Sequence, residues 1–235
     1  MKFKANLLLT FLAILVLGLL LSLGVWQLDR ADEKQALLDM QADRINLRPV
    51  DLSQVDLQDN DLRYLSVRAL GVADTAHQIL IDNQVKDGRV GYFVMTPLKL
   101  KSGRAVLLNR GWVAAGNDRR VLPKVALSIV EMLAVGKLDK FPSVGIKLKG
   151  ADTLSEGWPA VVQLIDVGKV SKRLGYRVEN YQMLLEGTQP YGFDRDWVPL
   201  KMGPEKHHGY AFQWFALALA WVTLYFVLTL KRRHE

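Results

Sequence analysis

Two of the four histidines are adjacent, His207 and His208. Tyr210 and Trp214 follow His207 at i+3 and i+7, so a helix through this stretch would carry all three on one face. A histidine beside apolar hydrocarbon is costly unless it is paired, bound or wetted. Imidazole nitrogen is a good iron ligand, and haem is a flat apolar disc with anionic propionates. The residue types are therefore those of a haem-holding face. His207 would supply a nitrogen for iron, and Arg30, Lys34, Arg110 or Lys206 a cation for a propionate. The plainer alternative makes His207 and His208 wet interfacial residues next to an aromatic belt, and spacing alone favours it. A second constellation is Trp26, Gln27 and Arg30, with Trp26 and Arg30 on one helical face at i, i+4. An interfacial anchor with a snorkelling arginine is its plainer explanation. A third, Asn109-Arg110-Gly111-Trp112, reads as a polar and aromatic strand end, where a tight bend would account for Gly111. His77 reads as a surface or half-buried residue at a strand start, and His234 lies in the tail.

Other chemistry finds little support. Gly88-Arg89-Val90-Gly91 lacks the lysine and serine of a phosphate-binding loop. There is no Gly-x-Ser-x-Gly elbow and no His-Glu-x-x-His. Asp56, Asp59 and Asp61 lack the glycine and terminal glutamate of a calcium loop, so solvated carboxylates are expected there. No nucleophile–base pair stands out, and the chain is read as not being an enzyme. With Cys 0, disulfides, thiolate metal sites, iron–sulfur ligation, covalent c-type haem attachment and copper delivery through paired thiols are all excluded.

The elements that must position these residues are sharply divided. Residues 7–26 and 209–230 carry no charge, and each is long enough to span a bilayer core, which takes about 20 residues at about 1.5 Å rise. The first run is too long for the apolar core of a signal peptide and leads into bulky Trp26, so a retained helix is expected. The formal net charge is +7, and Lys2, Lys4, Lys231, Arg232 and Arg233 against Glu235 supply four of those charges. The central part is nearly balanced, which argues against nucleic acid as a partner. The dense positive tails favour both termini in the cytoplasm. The chain is thus read as a cytoplasmic tail (1–6), a first transmembrane helix (7–26), an extracytoplasmic helical extension (27–48), a β-rich domain (49–208), a second transmembrane helix (209–230) and a second tail (231–235).

The extension must end before Pro49, and residues 49–61 read as a loop. From Leu62 the hydrophobic period becomes two. Strands are expected over 62–71, 77–81, 90–100, 104–113, 125–138, 144–148, 161–165 and 181–185, with turns at Asp82-Asn83 and Lys86-Asp87-Gly88. Asp166 reads as the N-cap of a short helix ending near Leu174 and Gly175. The expected fold is a membrane-anchored α+β protein, two transmembrane helices bracketing a mainly antiparallel barrel-like or sandwich-like domain.

Four motifs stand in a definite order. They are Leu23-Gly24-Val25-Trp26-Gln27-Leu28 with Arg30 and Lys34, then Gly91-Tyr92-Phe93-Val94-Met95-Thr96-Pro97-Leu98, then VLLNRGWV over 106–113, then Pro204-Glu205-Lys206-His207 with Tyr210 and Trp214. Together, over nearly the whole chain, they resemble the Surfeit-locus (Surf/Shy) family of cytochrome oxidase assembly factors, in its bacterial form. The resemblance implies a factor for a haem–copper (cytochrome c type) terminal oxidase of the respiratory chain. Such a factor assists haem a delivery or insertion into the oxidase catalytic subunit. It further implies non-covalent haem a, the catalytic subunit, haem a synthase and membrane lipid as cofactor and partners, and a place in the bacterial inner membrane with the central domain periplasmic. In bacterial members haem binding is tied to the second-span histidine. His207 matches it, while His208 stands where many members have leucine, so the ligand stays open between the two. Tyr210, Trp214, Arg30 and Arg110 complete the implied cofactor face, and Trp26, Gln27 and Trp112 the implied interaction surface. The alternative is a cofactor-free scaffold that stabilises oxidase assembly intermediates.

Overall fold

The computed structural model describes residues 7–57, 61–197 and 203–231. The tail 1–6, residues 232–235 with His234, and Asp59 and Asn60 of the expected loop lie outside the described residues. The chain forms two compact units, one of residues up to Met40 together with those from Val198, the other Gln41–Trp197.

The first unit contains two helices long and apolar enough to cross a membrane, α1 (Leu7–Ile45) and α3 (Pro204–Lys231). α1 continues without a break through the charged stretch after Trp26 and stops short of Pro49, whose ring disfavours helical geometry in the residue before it. α3 starts with Pro204 in the first turn, where a missing N–H costs nothing. It therefore begins ahead of the uncharged run, and His207 and His208 both lie inside the helix.

The two helices meet through small residues and hydrogen bonds. Gly24 and Ala218 are buried, and a Cβ at position 24 would come within 2.5 Å of Phe215 Cε1. The indole N–H of Trp221 donates to the Ala13 carbonyl at 3.0 Å, and Thr10 Oγ1 lies 2.8 Å from Tyr225 Oη. Apolar lipid gives helices no hydrophobic reason to associate, so close approach and polar ties must do it.

The second unit is built on an eight-stranded mixed sheet, β1 (Val50–Asp51), β2 (Ser66–Ala73), β3 (Ile79–Lys86), β4 (Arg89–Leu100), β5 (Ala105–Ala114), β6 (Glu131–Asp139), β7 (Ala160–Val162) and β8 (Val178–Leu185), in the order β1-β2-β6-β8-β5-β4-β3-β7. An additional β2–β4 pairing joins β2, β6, β8, β5 and β4 into a closed circuit. Five of the pairings are antiparallel, while β1–β2, β3–β7 and β5–β8 are parallel. β5 is buried on both faces. Val106 and Leu108 join a core with Val67, Leu98, Leu138 and Met183, and Leu107 points the other way, onto Ile79, Met95 and Val170 of the short helix α2 (Val167–Leu174).

Several local expectations hold at residue level. Asp166 Oδ1 accepts from Lys169 N at 3.0 Å, and Gly175 caps α2 in the left-handed region. Others need correction. Asp82-Asn83 is no turn but a bulge inside β3, with Asn83 at φ 59° and the register shifting between Ile81 and Gln84. The 125–138 stretch is a strand only from Glu131. The 49–61 loop contains β1 and a single 3-10 turn (Leu52–Gln54), and 144–148 pairs with no strand despite its alternation.

Candidate functional site

The first two constellations come together. Gln27 on α1 and His207 on α3 are hydrogen-bonded, Nδ1 to Oε1, at 2.8 Å. An amide oxygen only accepts, so the imidazole donates its Nδ1 proton. In the neutral ring Nε2 is then left with its lone pair free for a metal or a proton donor. A ligating histidine is commonly fixed in this way through its other nitrogen, which sets the tautomer and the ring orientation. His207 is half-buried, whereas His208, the next residue on the helix, is exposed. The arrangement distinguishes two histidines between which the resemblance leaves the ligand open.

Tyr210 is exposed and Trp214 is half-buried further along α3, while Trp26 on α1 is exposed. Large apolar surfaces left open on these helices have lipid or a ligand as their natural neighbours. Arg30 forms an i, i+3 ion pair with Glu33 and is exposed enough to be shared with another anion. Arg44, which sequence reasoning did not single out, ties the C-terminal end of α1 to the segment before β2 by donating to the Asp61 carbonyl at 2.9 Å and to that of Arg63.

The third constellation belongs to the interior of the β domain. Arg110 is 3% exposed. Its guanidinium donates to the carbonyls of Tyr191 (2.8 Å) and Val125 (2.9 Å) and to Gln78 Oε1 (3.4 Å), and it lies 5.0 Å from the Phe193 ring centre. Burial lowers its pKa to about 10, which leaves it charged at neutral pH. These partners occupy the arginine that the sequence offers to a propionate. Trp112 is also buried. Its indole N–H donates to the Gln84 carbonyl at 2.8 Å, and Arg89 sits 5.6 Å from its ring centre. Asn109 Nδ2 donates to Gln182 Oε1 at 2.9 Å, and Gln182 Nε2 donates to the Lys140 carbonyl at 2.8 Å. Gly111 has φ 112°, and a Cβ there would stand 2.5 Å from the Asp194 carbonyl oxygen. The glycine is required because the main chain around Asp194 bridges to Trp112 at that point.

A further network escaped sequence reasoning. The buried carboxylate of Asp74 accepts from His77 Nδ1 (2.7 Å) and Tyr176 Oη (2.7 Å), with Lys99 Nζ at 3.2 Å. Burial pushes this carboxyl up, but the bonds from Tyr176, Lys99 and His77 outweigh it and hold the pKa below the ordinary value. Burial, then the bond to Asp74, raises Tyr176. His77 is only three residues from Asp74, but Lys99 comes beside it through the β2–β4 pairing and Tyr176 from the segment between α2 and β8, so tertiary structure alone assembles the network. Among the described residues there is no cluster of three or more metal-ligating side chains.

A family model described as the SURF1 family matches residues 14–219. The chain is 29% identical over 234 residues to a SURF1-like protein of Rickettsia bellii, covering 96% of this chain and 90% of the relative. It is 27% identical over 234 residues to a SURF1-like protein of Rickettsia conorii, covering 95% and 91% respectively. A Surfeit locus protein 1 of Arabidopsis thaliana is 33% identical over 104 residues, which is 39% of this chain.

Proposed function

The chain belongs to the SURF1 family, and from that premise we propose that it is a membrane-anchored assembly factor for a haem–copper terminal oxidase, assisting the delivery or insertion of haem a. The single observation that carries the haem part is the Gln27–His207 hydrogen bond, which fixes an imidazole with Nε2 open. The donor set fits haem iron, an N-ligand acceptor with apolar surroundings. His207 would hold the iron through Nε2, Tyr210 and Trp214 would offer their rings to the macrocycle, and Arg30 would meet a propionate. Haem a, when bound, is cargo destined for the electron-transfer and oxygen chemistry of the oxidase. The work of this chain is to bind it, orient it and keep it from water. Gln27 acts through His207, by holding its ring and tautomer. Trp26 supplies apolar surface for the oxidase catalytic subunit or for haem a synthase. In this reading both termini are cytoplasmic and the β domain is periplasmic, as the basic residues of the tails favour.

The test is the absorbance spectrum of the full chain purified from cells that make haem a. His207→Ala should lose bound haem and His208→Ala should keep it. Retention of haem by His207→Ala would overturn the ligand assignment. Full oxidase activity in cells whose only copy carries both substitutions would favour the scaffold role over haem handling. A deletion strain with unchanged haem content at the oxidase centre would remove the assembly role itself.

A further inference from the structure

Residues 140–150 of the β domain have an unusual surface. They contain Lys140, Lys147 and Lys149 and no acidic residue. Between the lysines stand Val144, Ile146 and Leu148, which are 44%, 81% and 65% exposed. This is the stretch whose alternation predicts a strand and which pairs with none. Its base is nevertheless fixed. Ala151 N donates to the Leu148 carbonyl at 3.1 Å, and the Ala151 carbonyl accepts from Gln163 N (3.0 Å) and Leu164 N (2.9 Å). Ala151 and Asp152 are buried. The aliphatic side chains are thus held out into solvent by a pinned base.

The charge beside them is net positive. Asp152 is the carboxylate at the base, and two lysines share it, Lys147 at 2.6 Å and Lys169 at 2.8 Å, which leaves a net positive charge. Lys172 lies one helical turn beyond Lys169 on α2. Exposed aliphatic groups rimmed by lysine are the composition of segments that sit at a lipid headgroup boundary, apolar tips in the acyl region and cations on anionic headgroups. A soluble protein partner would need matching acidic and apolar surface. A bilayer offers both, and two spanning helices hold this chain permanently beside one.

We infer that residues 144–148 form a membrane-contact loop, whose Val144, Ile146 and Leu148 enter the interface of an anionic bilayer while Lys147, Lys149 and Lys169 bind its headgroups. This rests on the spanning helices and not on haem binding. The contact would fix one face of the β domain against the lipid surface.

Because the chain has Cys 0, a single introduced thiol can report on the loop. A Cβ at Gly145 meets nothing within 4 Å, so Gly145→Cys is tolerated and leaves the aliphatic residues in place. The full-length Gly145→Cys protein is labelled with an environment-sensitive fluorophore and placed in nanodiscs of phosphatidylcholine alone or mixed with phosphatidylglycerol. A series with a spin-labelled lipid as quencher accompanies each. The expected result is a blue-shifted emission with several-fold stronger quenching in the anionic discs, both lost when Ile146→Glu and Leu148→Glu are added. Water-like emission without quenching in anionic discs would overturn the inference. Equal quenching in the two lipids would overturn its anionic selectivity and leave the apolar side chains, not the lysines, as what holds the loop in lipid.

Discussion

Arg110 in the β domain and His207 in the helix pair both belong to motifs that look functional, and the structure uses them in opposite ways. Arg110 is a buried cation whose donors meet two main-chain carbonyls and an amide oxygen. His207 has one nitrogen tied to Gln27 and, among the described residues, no partner at the other. A side chain whose polar atoms are engaged inside the fold stabilises that fold. One that is oriented through a single atom keeps bonding capacity at another. The same contrast separates Trp112, whose indole N–H is hydrogen-bonded inside the domain, from Trp26, which is exposed. A recognisable motif therefore marks a site only where some bonding capacity remains.

The largest effect should come from breaking the engaged side. Arg110→Leu strands the buried carbonyl of Val125 and removes the donor of the part-buried Tyr191 carbonyl, while Gln78 Oε1 keeps its bond from Thr96. A buried acceptor left without its donor costs about 1–3 kcal/mol. A loss of about 3 kcal/mol or more is expected, read as a collapse of the thermal midpoint of the β domain. Arg110→Lys should recover little of it, since an ammonium cannot reproduce the planar spread of donors. Near-wild-type melting of Arg110→Leu would mean that the guanidinium is not spent on the fold, and would return it to the list of propionate partners.

Gly111→Ala should follow, at about 2 kcal/mol. It combines a positive φ with a Cβ 2.5 Å from the Asp194 oxygen. The effect should appear in the same melting experiment, while haem content of the surviving folded protein stays unchanged. A selective loss of haem with normal melting would place the motif on the functional side after all.

Gln27→Leu tests the open side. Removing an outer partner of a metal ligand typically weakens binding 10–100-fold. A haem affinity reduced by about tenfold is expected, with melting of the β domain unchanged, because an interhelical hydrogen bond in lipid contributes only about 0.6 kcal/mol. Gln27→Glu, which restores an acceptor for the Nδ1 proton, should recover binding. Unaltered affinity in Gln27→Leu would break the positioning role.

How far the sequence alone reveals this contrast depends on the kind of signal. The two apolar helices, β4, β5 and the caps of α2 follow from local rules, namely uncharged length, period-two alternation, an Asp N-cap and a Gly C-cap. The i, i+3, i+7 spacing is sufficient to place His207, Tyr210 and Trp214 on one helix. What local rules cannot supply is partnership between distant residues. Gln27 with His207, Arg110 with Tyr191, and Asp74 with Tyr176 are joined only by tertiary structure. The 144–148 stretch fails for the reverse reason. Its alternation is genuine, but a strand exists only where a neighbour can pair with it.

The smallest effect is one of pH, and it sharpens the same comparison. In the β domain the guanidinium of Arg63 lies against Asp61 and draws its carboxyl pKa down to about 2. An unfolded aspartate titrates near 3.9. The sign follows from a folded pKa below the unfolded one. The contribution is complete above about pH 4 and disappears as pH falls through about 2. Asp74, also held low, acts in the same direction. Asp139, raised by burial, opposes them by being easier to protonate in the folded chain. The ties between the helices, Thr10 with Tyr225 and Trp221 with Ala13, carry no charge and should not respond in this range. Asp61→Asn should therefore lower the melting midpoint of the β domain by a few degrees at pH 7 and by progressively less toward pH 2, where the two proteins converge. Circular dichroism melts across that range decide it. A difference that stays constant with pH would show that Asp61 acts through shape rather than charge, and that the β domain, like the helix pair, is held by neutral contacts.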